Sequence, residues 1–320
     1  MWPLNDLVHW LLNGPVRLPS GPWLSWISED HSGYPYAEAS AIALRAANWW
    51  HTVTGQELLG AHRIPAVQFL EQSVGSDGLV HRDGIGFLFD SLLVLTALDG
   101  TCSGGQRNSV VADQMESAIS RNLESRSAVT GAPCNRWSHR FGPHLLKALG
   151  MSAHTPRWKN IIQASIGPII AELTAIQGPE GQLVHPDDDG VYLHAHCYAL
   201  EGLAIFDRMG IPDCRKPFLA GLSYLRRQQR PDGGFPQWTH NVEGPYATDI
   251  TAQAGRLMLV PEAATDEQAL THIDKALGKC LGNGGIRYLS NSLHENTWCT
   301  AFVLQYAYGR QFGLEPDQWV

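Results

Sequence analysis

The sequence predicts an all-α protein built as a closed ring of six helical hairpins, an (α/α)6 toroid. Three observations carry this. A Gly-rich turn recurs after amphipathic runs, in "FLEQSVGSDGLV" (69–80), "LTAIQGPEGQLV" (173–184), "YLRRQQRPDGGF" (224–235) and "KCLGNGGIRYL" (279–289). Helical segments of two kinds alternate, one-sided stripes and runs apolar almost all round, and the second kind must be buried inside a larger assembly. The apolar runs start roughly every 47–55 residues, the fixed period of an array of paired helices.

The elements follow in order. Pro3 is tolerated in a first turn, Leu4, Leu7, Val8, Leu11 and Leu12 make one stripe, and Gly14 supplies the stop. Further outer helices are predicted near 57–73, 108–124, 157–176, 214–229 and 264–281. In the fifth of the six, Phe218, Leu222 and Leu225 mark the buried face while Arg226, Arg227 and Gln228 look outward. Inner helices are "YAEASAIALRAA" (36–47), "FLFDSLLVLTAL" (87–98), "HRFGPHLLKAL" (139–149), "AHCYALEGLAIF" (195–206), "ITAQAGRLMLV" (250–260) and "TWCTAFVLQYA" (297–307). Their starts are expected near 36, 88, 139, 194, 248 and 296, the third being less clean because of Pro143. Strand signals are confined to short tails after the Gly turns. An open solenoid needs polar caps, yet the last inner helix is as apolar as the middle ones, so closure is expected, with residues 1–320 as one domain.

Composition excludes several classes. A formal charge of -8 with interspersed signs argues against a nucleic-acid surface. The opening "MWPLNDLVHWLLNG" lacks a basic n-region, its apolar stretch is broken by Asn5, Asp6 and His9, and no segment is long and apolar enough to span a bilayer. Cysteines 102, 134, 197, 214, 280 and 299 have no close pairs, which fits free thiols in a reducing, cytoplasmic compartment.

The turn "YLRRQQRPDGGF" is similar to the repeat of terpenoid cyclases and protein prenyltransferase β-subunits. The helix-start sequences "YPYAEAS", "FLFDSLL", "YLHAHCYALEGL", "ATDITAQAGRL" and "HENTWCTAFVLQYA" more closely resemble the six-hairpin glycosidase-like superfamily, with its unsaturated glucuronyl hydrolases, exopolysaccharide-biosynthesis proteins and sugar epimerases. The resemblance spans about the whole chain through short degenerate motifs. It implies the fold and, more weakly, a glycan substrate, because one fold hosts many chemistries.

In a toroid the inner-helix N-termini meet at one rim, and the predicted starts carry Glu38, Asp90, His139 with Arg140, His194 with His196, Asp249, and His294 with Glu295. Any single carboxylate there serves equally well as a helix cap, but the recurrence points to a shared cavity. Glycosidic chemistry needs one carboxylic acid to protonate a leaving oxygen and a carboxylate acting opposite. Asp90 and Asp249 are the preferred pair, with Glu38 and Glu295 in reserve. His194 and His196 are the alternative acid and base, or bind sugar hydroxyls, or are structural. His139, Arg140, Tyr36, Gln253, Asp187 of "HPDDDG", Trp238 and Trp298 are candidate substrate contacts, and Trp23, Trp26 and Trp137 are further stacking surfaces; Trp49 and Trp50 read as core.

No metal or other cofactor is expected. His194, His196, Cys197 and Cys299 could in principle meet zinc, but their spacing matches no closed site. "HPDDDG" lacks the fourth-position acid of a class II terpene cyclase, where Gly190 stands. The expected partner is a small-molecule or oligosaccharide substrate, acted on by a monomer or homodimer through hydrolysis or epimerisation. The alternatives are an isoprenoid cyclase or a non-catalytic glycan-binding protein of a polysaccharide pathway.

Overall fold

The computed structural model describes residues 2–100, 110–125, 141–153, 155, 159–183, 190–263 and 266–320; for residues 100, 159–165 and 173 only the helical backbone is described. The inner helices are α2 (Ala37–Thr54), α4 (Leu88–Gly100), α6 (Leu145–Ser152), α8 (Leu193–Arg208), α10 (Thr248–Met258) and α12 (Thr297–Phe312). Between them run the outer helices α1 (Leu4–Asn13), α3 (Arg63–Gln72), α5 (Val110–Glu124), α7 (Lys159–Ala175), α9 (Arg215–Arg227) and α11 (Glu267–Gly278). Each inner helix packs on the next, and α12 returns to pack on α2. The ring is closed, as the apolar last helix requires. No described helix is long and apolar enough to cross a membrane.

Five inner starts fall within a residue of expectation. The third does not: α6 begins at Leu145, because Pro143 disfavours helical geometry before it and the first turn is set by Leu145 N–H to Gly142 and Leu146 N–H to Pro143. Among the described residues the strands make only a rim trim. β1 (Trp26–Ile27), β5 (Glu295–Asn296) and β4 (Ile286–Arg287) pair antiparallel in that order, and β2 (Val80–Arg82) pairs with β3 (Ile85–Phe87).

The recurrent turn is one device used at least five times. Its first N–H donates to the carbonyl closing it: Gly75 to Leu79 at 2.7 Å, Gly178 to Gln182 at 2.8 Å, Arg230 to Gly234 at 3.0 Å and Gly282 to Gly285 at 2.8 Å. A fifth copy, in "RLPSGPW", joins Leu18 to Pro22 at 2.8 Å. The glycine inside lies against the next outer helix. Gly181 has φ +99° and a Cβ there would strike the Ala220 carbonyl of α9; Gly233, at φ +91°, would strike His272 of α11. Two constraints therefore demand glycine, a left-handed backbone and no room for a side chain. Gly233→Ala is expected to lower stability by more than ~1 kcal/mol. Gly210→Ala, at φ +76° but facing open space, should cost less, and urea-unfolding midpoints compare the two.

Each turn also fixes the register of its inner helix. The N–H after the turn donates to the fourth residue of that helix: Trp23 to Ser40 (2.9 Å), Val80 to Ser91 (2.8 Å), Leu183 to His196 (3.2 Å), Phe235 to Thr251 (3.1 Å) and Ile286 to Thr300 (3.0 Å). The four hydroxyls in turn donate to the carbonyl four residues back. This register turns one i, i+4, i+7 stripe of each helix toward the centre. Its top layer holds Glu38, Phe89, His194, Asp249 and Trp298; the next Ile42, Leu93, Tyr198, Gln253 and Phe302; the third Arg45, Thr96, Glu201, Arg256 and Gln305.

The third layer is polar, and its Thr96, Glu201, Arg256 and Gln305 are fully buried. Glu201 pairs with Arg256 and, at 2.8 Å, with Lys147 of α6, while Gln253 donates to it at 3.3 Å. Arg256 also donates to Gln305 (2.7 Å) and stands over the rings of Phe302 and Trp319. Residues 315–320 lie below this layer: Lys147 donates to the Val320 carbonyl at 2.8 Å, and Val320 N–H donates to Gln305 at 2.9 Å. Residues 315–320 thus fill the ring from below.

Candidate active site

Residue by residue, the rim assembles two groups. The first spans α2 and α4. Tyr36 precedes α2 in extended conformation, and its hydroxyl donates to Asp90 Oδ2 at 3.1 Å, with Glu38 close enough to act on both groups. Asp90 is buried at the start of α4, and its Oδ1 has no hydrogen-bond partner among the described residues. Burial, reinforced by the neighbouring Glu38 charge, pushes the Asp90 carboxyl well above the usual range against the pull of Tyr36 and Arg82. Glu38 is raised by burial, opposed by Tyr36, His194 and Arg82. Burial and the two acids hold the Tyr36 phenol far above its ordinary value, so it stays a proton donor. Both carboxyls are thus raised by burial, Asp90 the more strongly.

Arg82, from β2, closes this group from the solvent side. Its guanidinium lies over the rings of Tyr36 (5.1 Å) and Tyr34 (5.7 Å) and donates to the Tyr34 hydroxyl at 2.7 Å. The sequence reading missed it because it sits on a hairpin before α4; the basic residue in "LVHRDG", six positions ahead of that helix, is the signal that was there.

The second group spans α8 and α10. His194 Nδ1 stands 3.0 Å from Asp249 Oδ2, and Asp249 Oδ1 accepts the Ile250 N–H at 2.8 Å. The His194 ring packs on Tyr198 (4.2 Å) and Tyr192 (5.9 Å), and Tyr192 on Trp238 (5.0 Å). Trp298 joins the walls between Tyr36 (6.2 Å) and Tyr288 (6.4 Å), and Gln237 donates to the Tyr288 hydroxyl at 2.9 Å. The His194 imidazole is close enough to Glu38 to pull its carboxyl down against the larger effect of burial.

Other expected residues lie elsewhere. His196 takes the hydroxyl place of the repeat: Nδ1 accepts the Leu183 N–H and Nε2 sits 3.0 Å from the Gly221 carbonyl. Complete burial lowers it to about 4, so it is neutral and structural, pointing at α9 and away from the rim. His196→Ala leaves both backbone groups unmet and is expected to cost ~2–4 kcal/mol in chemical denaturation while sparing turnover of the folded fraction.

Glu295 is likewise set apart. As part of β5 it accepts the N–H groups of Asn283 and Gly285 and braces the glycine turn. Gln253 lies one turn too deep and serves Glu201. Trp23 is core rather than platform, with its indole donating to the Leu11 carbonyl. His139, Arg140, Trp137 and Asp187 lie outside the described residues. Of the zinc candidates, His194 faces Asp249 and His196 the backbone, and no group of three or more potential ligands forms among the described residues. Cys197, Cys214, Cys280 and Cys299 are buried free thiols.

No protein-family model matches the chain, and no curated protein is detectably similar to it in sequence. Solved structures do match. An unsaturated glucuronyl hydrolase specific for heparin superposes with a TM-score of 0.71 at 9% identity, covering 98% of this chain and 97% of that one. The unsaturated glucuronyl hydrolase of Bacillus sp. GL1, responsible for glycosaminoglycan degradation, gives 0.65 at 11% identity over 99% and 97%. A type II terpene cyclase from Scytonema gives 0.62 at 13% identity over 97% and 98%. The chain therefore carries the (α/α)6 toroid fold seen in these structures.

Proposed function

We propose that this protein is a carbohydrate-active enzyme that hydrolyses a glycosidic bond at the rim between α2, α4, α8 and α10. The observation that carries the reading is the cluster of Asp90, Tyr36 and Glu38 within electrostatic reach of the His194 that pairs with Asp249. Asp90, protonated by burial, donates its proton to the leaving oxygen. Asp249, oriented by His194, receives a proton from the incoming water, so the two acids exchange roles and the water is divided between the products. Arg82 at the mouth favours a substrate bearing a carboxylate, and Tyr36, Trp298 and Trp238 offer faces on which a pyranose can stack.

The fold likeness to glucuronyl hydrolases supports the glycan class. A pure binding protein has no use for a buried acid held protonated, whereas an acid catalyst does. The aromatic walls also suit an isoprenoid, the substrate class of the terpene cyclase that shares the fold. Three charged groups near the same rim, Arg82, Glu38 and Asp249, together with the neutral carboxyl of Asp90, favour the polar substrate. The same reading takes residues 1–320 as one domain working in a reducing, cytoplasmic compartment. Reducing-end release from uronic-acid and amino-sugar disaccharides tests the function, with farnesyl and geranylgeranyl diphosphate as controls. Turnover of a disaccharide lost in Asp249→Asn supports it; cyclisation of an isoprenoid in place of any sugar release overturns it.

A further inference from the structure

The rim carries a second concavity, and a run of rings joins it to the carboxylates. A cavity of about 390 Å³ lies between the loop after β1 and the segment linking β4 to β5, where Ile27 and Arg287 both pair with Glu295. Its walls present the side chains of Glu29, Asp30, His31, Arg287, His294 and Glu295. From there the rings form a track. His31 meets His294 edge-on at 5.0 Å, His294 stacks on Trp26 at 5.8 Å, Trp26 meets Tyr34 at 5.9 Å, and Tyr34 leans on Tyr36 at 5.5 Å. Tyr36 is the phenol that holds Asp90. Tyr34 is 41% exposed and Leu293 at the cavity edge 73% exposed, so large apolar surfaces line a polar rim.

The geometry points to a distal subsite: this cavity seats an uncharged or amino sugar belonging to a chain whose reacting unit lies at Asp90. The inference rests on the glycan reading of the central site. A pyranose has an apolar C–H face and a hydroxyl edge, and it matches a pocket that combines aromatic approach with convergent donors and acceptors. The volume lies within the ~300–1,000 Å³ of small-ligand sites. Three carboxylates against one guanidinium disfavour an acidic sugar there, while Arg82 favours one at the centre. The two sites together select a chain that alternates acidic and non-acidic units.

Hyaluronan oligosaccharides, which alternate such units, are the probe, and the side-chain NMR signals of the intact protein are the readout. The tetrasaccharide should shift the His31, His294 and Trp26 signals together with Trp298, and the disaccharide only Trp298. His31→Ala, at an exposed position, and His294→Ala should each weaken tetrasaccharide binding about tenfold and leave disaccharide binding unchanged. Tetrasaccharide binding that moves Trp298 while His31 and His294 stay still overturns the subsite and leaves the central reading standing. If neither length, nor chitosan oligomers, shifts any of these signals, the central reading falls and the subsite with it.

Discussion

Asp90→Asn is expected to lose at least ~100-fold in turnover while becoming more stable than the parent at pH 8. The first effect follows from removing a proton donor without changing shape. The second follows from linkage. The folded-state carboxyl of Asp90 is pushed up by burial and by Glu38, so the folded chain holds this proton where the unfolded chain, with an ordinary value of ~3.9, has lost it. The stabilising contribution is complete below about pH 4 and falls away as pH rises through the folded-state value. The amide never ionises and escapes that loss. The melting temperature of the variant should exceed that of the parent by a few degrees at pH 8, each ~1 kcal/mol being worth ~2–4 °C in larger domains, with the gap closing toward pH 4. A folded variant with near-normal turnover removes Asp90 as the acid; equal pH profiles of melting remove the buried proton.

Glu201→Gln should be the most damaging change far from the rim. Glu201 is the anion that both Lys147 and Arg256 face, and all three are fully buried. Deleting it leaves two cations uncompensated in the middle of the ring, a change that costs ~3–5 kcal/mol for buried pairs. That is a large part of the ~5–15 kcal/mol that holds a typical protein folded. Lys147 already sits near the limit, since burial outweighs Glu201 and brings its ammonium down to about 7. Combining Glu201→Gln with Lys147→Met should therefore cost less than the sum of the single changes, which a double-mutant cycle in urea measures directly. Additive losses would mean that Lys147 and Glu201 do not act as a pair.

The toroid was legible in sequence because its signals are periodic and local: glycine turns, alternating helix types and an apolar final helix. The later start of α6 has an equally local cause, Pro143, which disfavours helical geometry in the residue before it. Glu38, Asp90, His194 and Asp249 were legible as candidates from their places at helix starts, and the structure brings them near one another at the rim. His196 looked equivalent to His194 because both stand at a helix start. Only alignment on Ser40, Ser91, Thr251 and Thr300 separates them, since it puts His196 in the hydroxyl position, two residues from the inward one. That alignment was available in the sequence and would also have exposed the Glu201–Arg256 layer. The partners of Glu295 depend on how rim hairpins pack against other hairpins, which no local pattern encodes. Glu295 shows the cost: its acid is used by the backbone of residues 283 and 285, a contact visible only once β4 and β5 are paired.

A crystal structure of the Asp90→Asn variant soaked with a uronic-acid disaccharide tests the central claim most directly. The glycosidic oxygen is expected within hydrogen-bond distance of the side chain at position 90 and of Tyr36, with Asp249 on the other side of the anomeric carbon and a sugar face on Trp298. A disaccharide bound with its glycosidic bond away from both Asp90 and Asp249 would contradict the account.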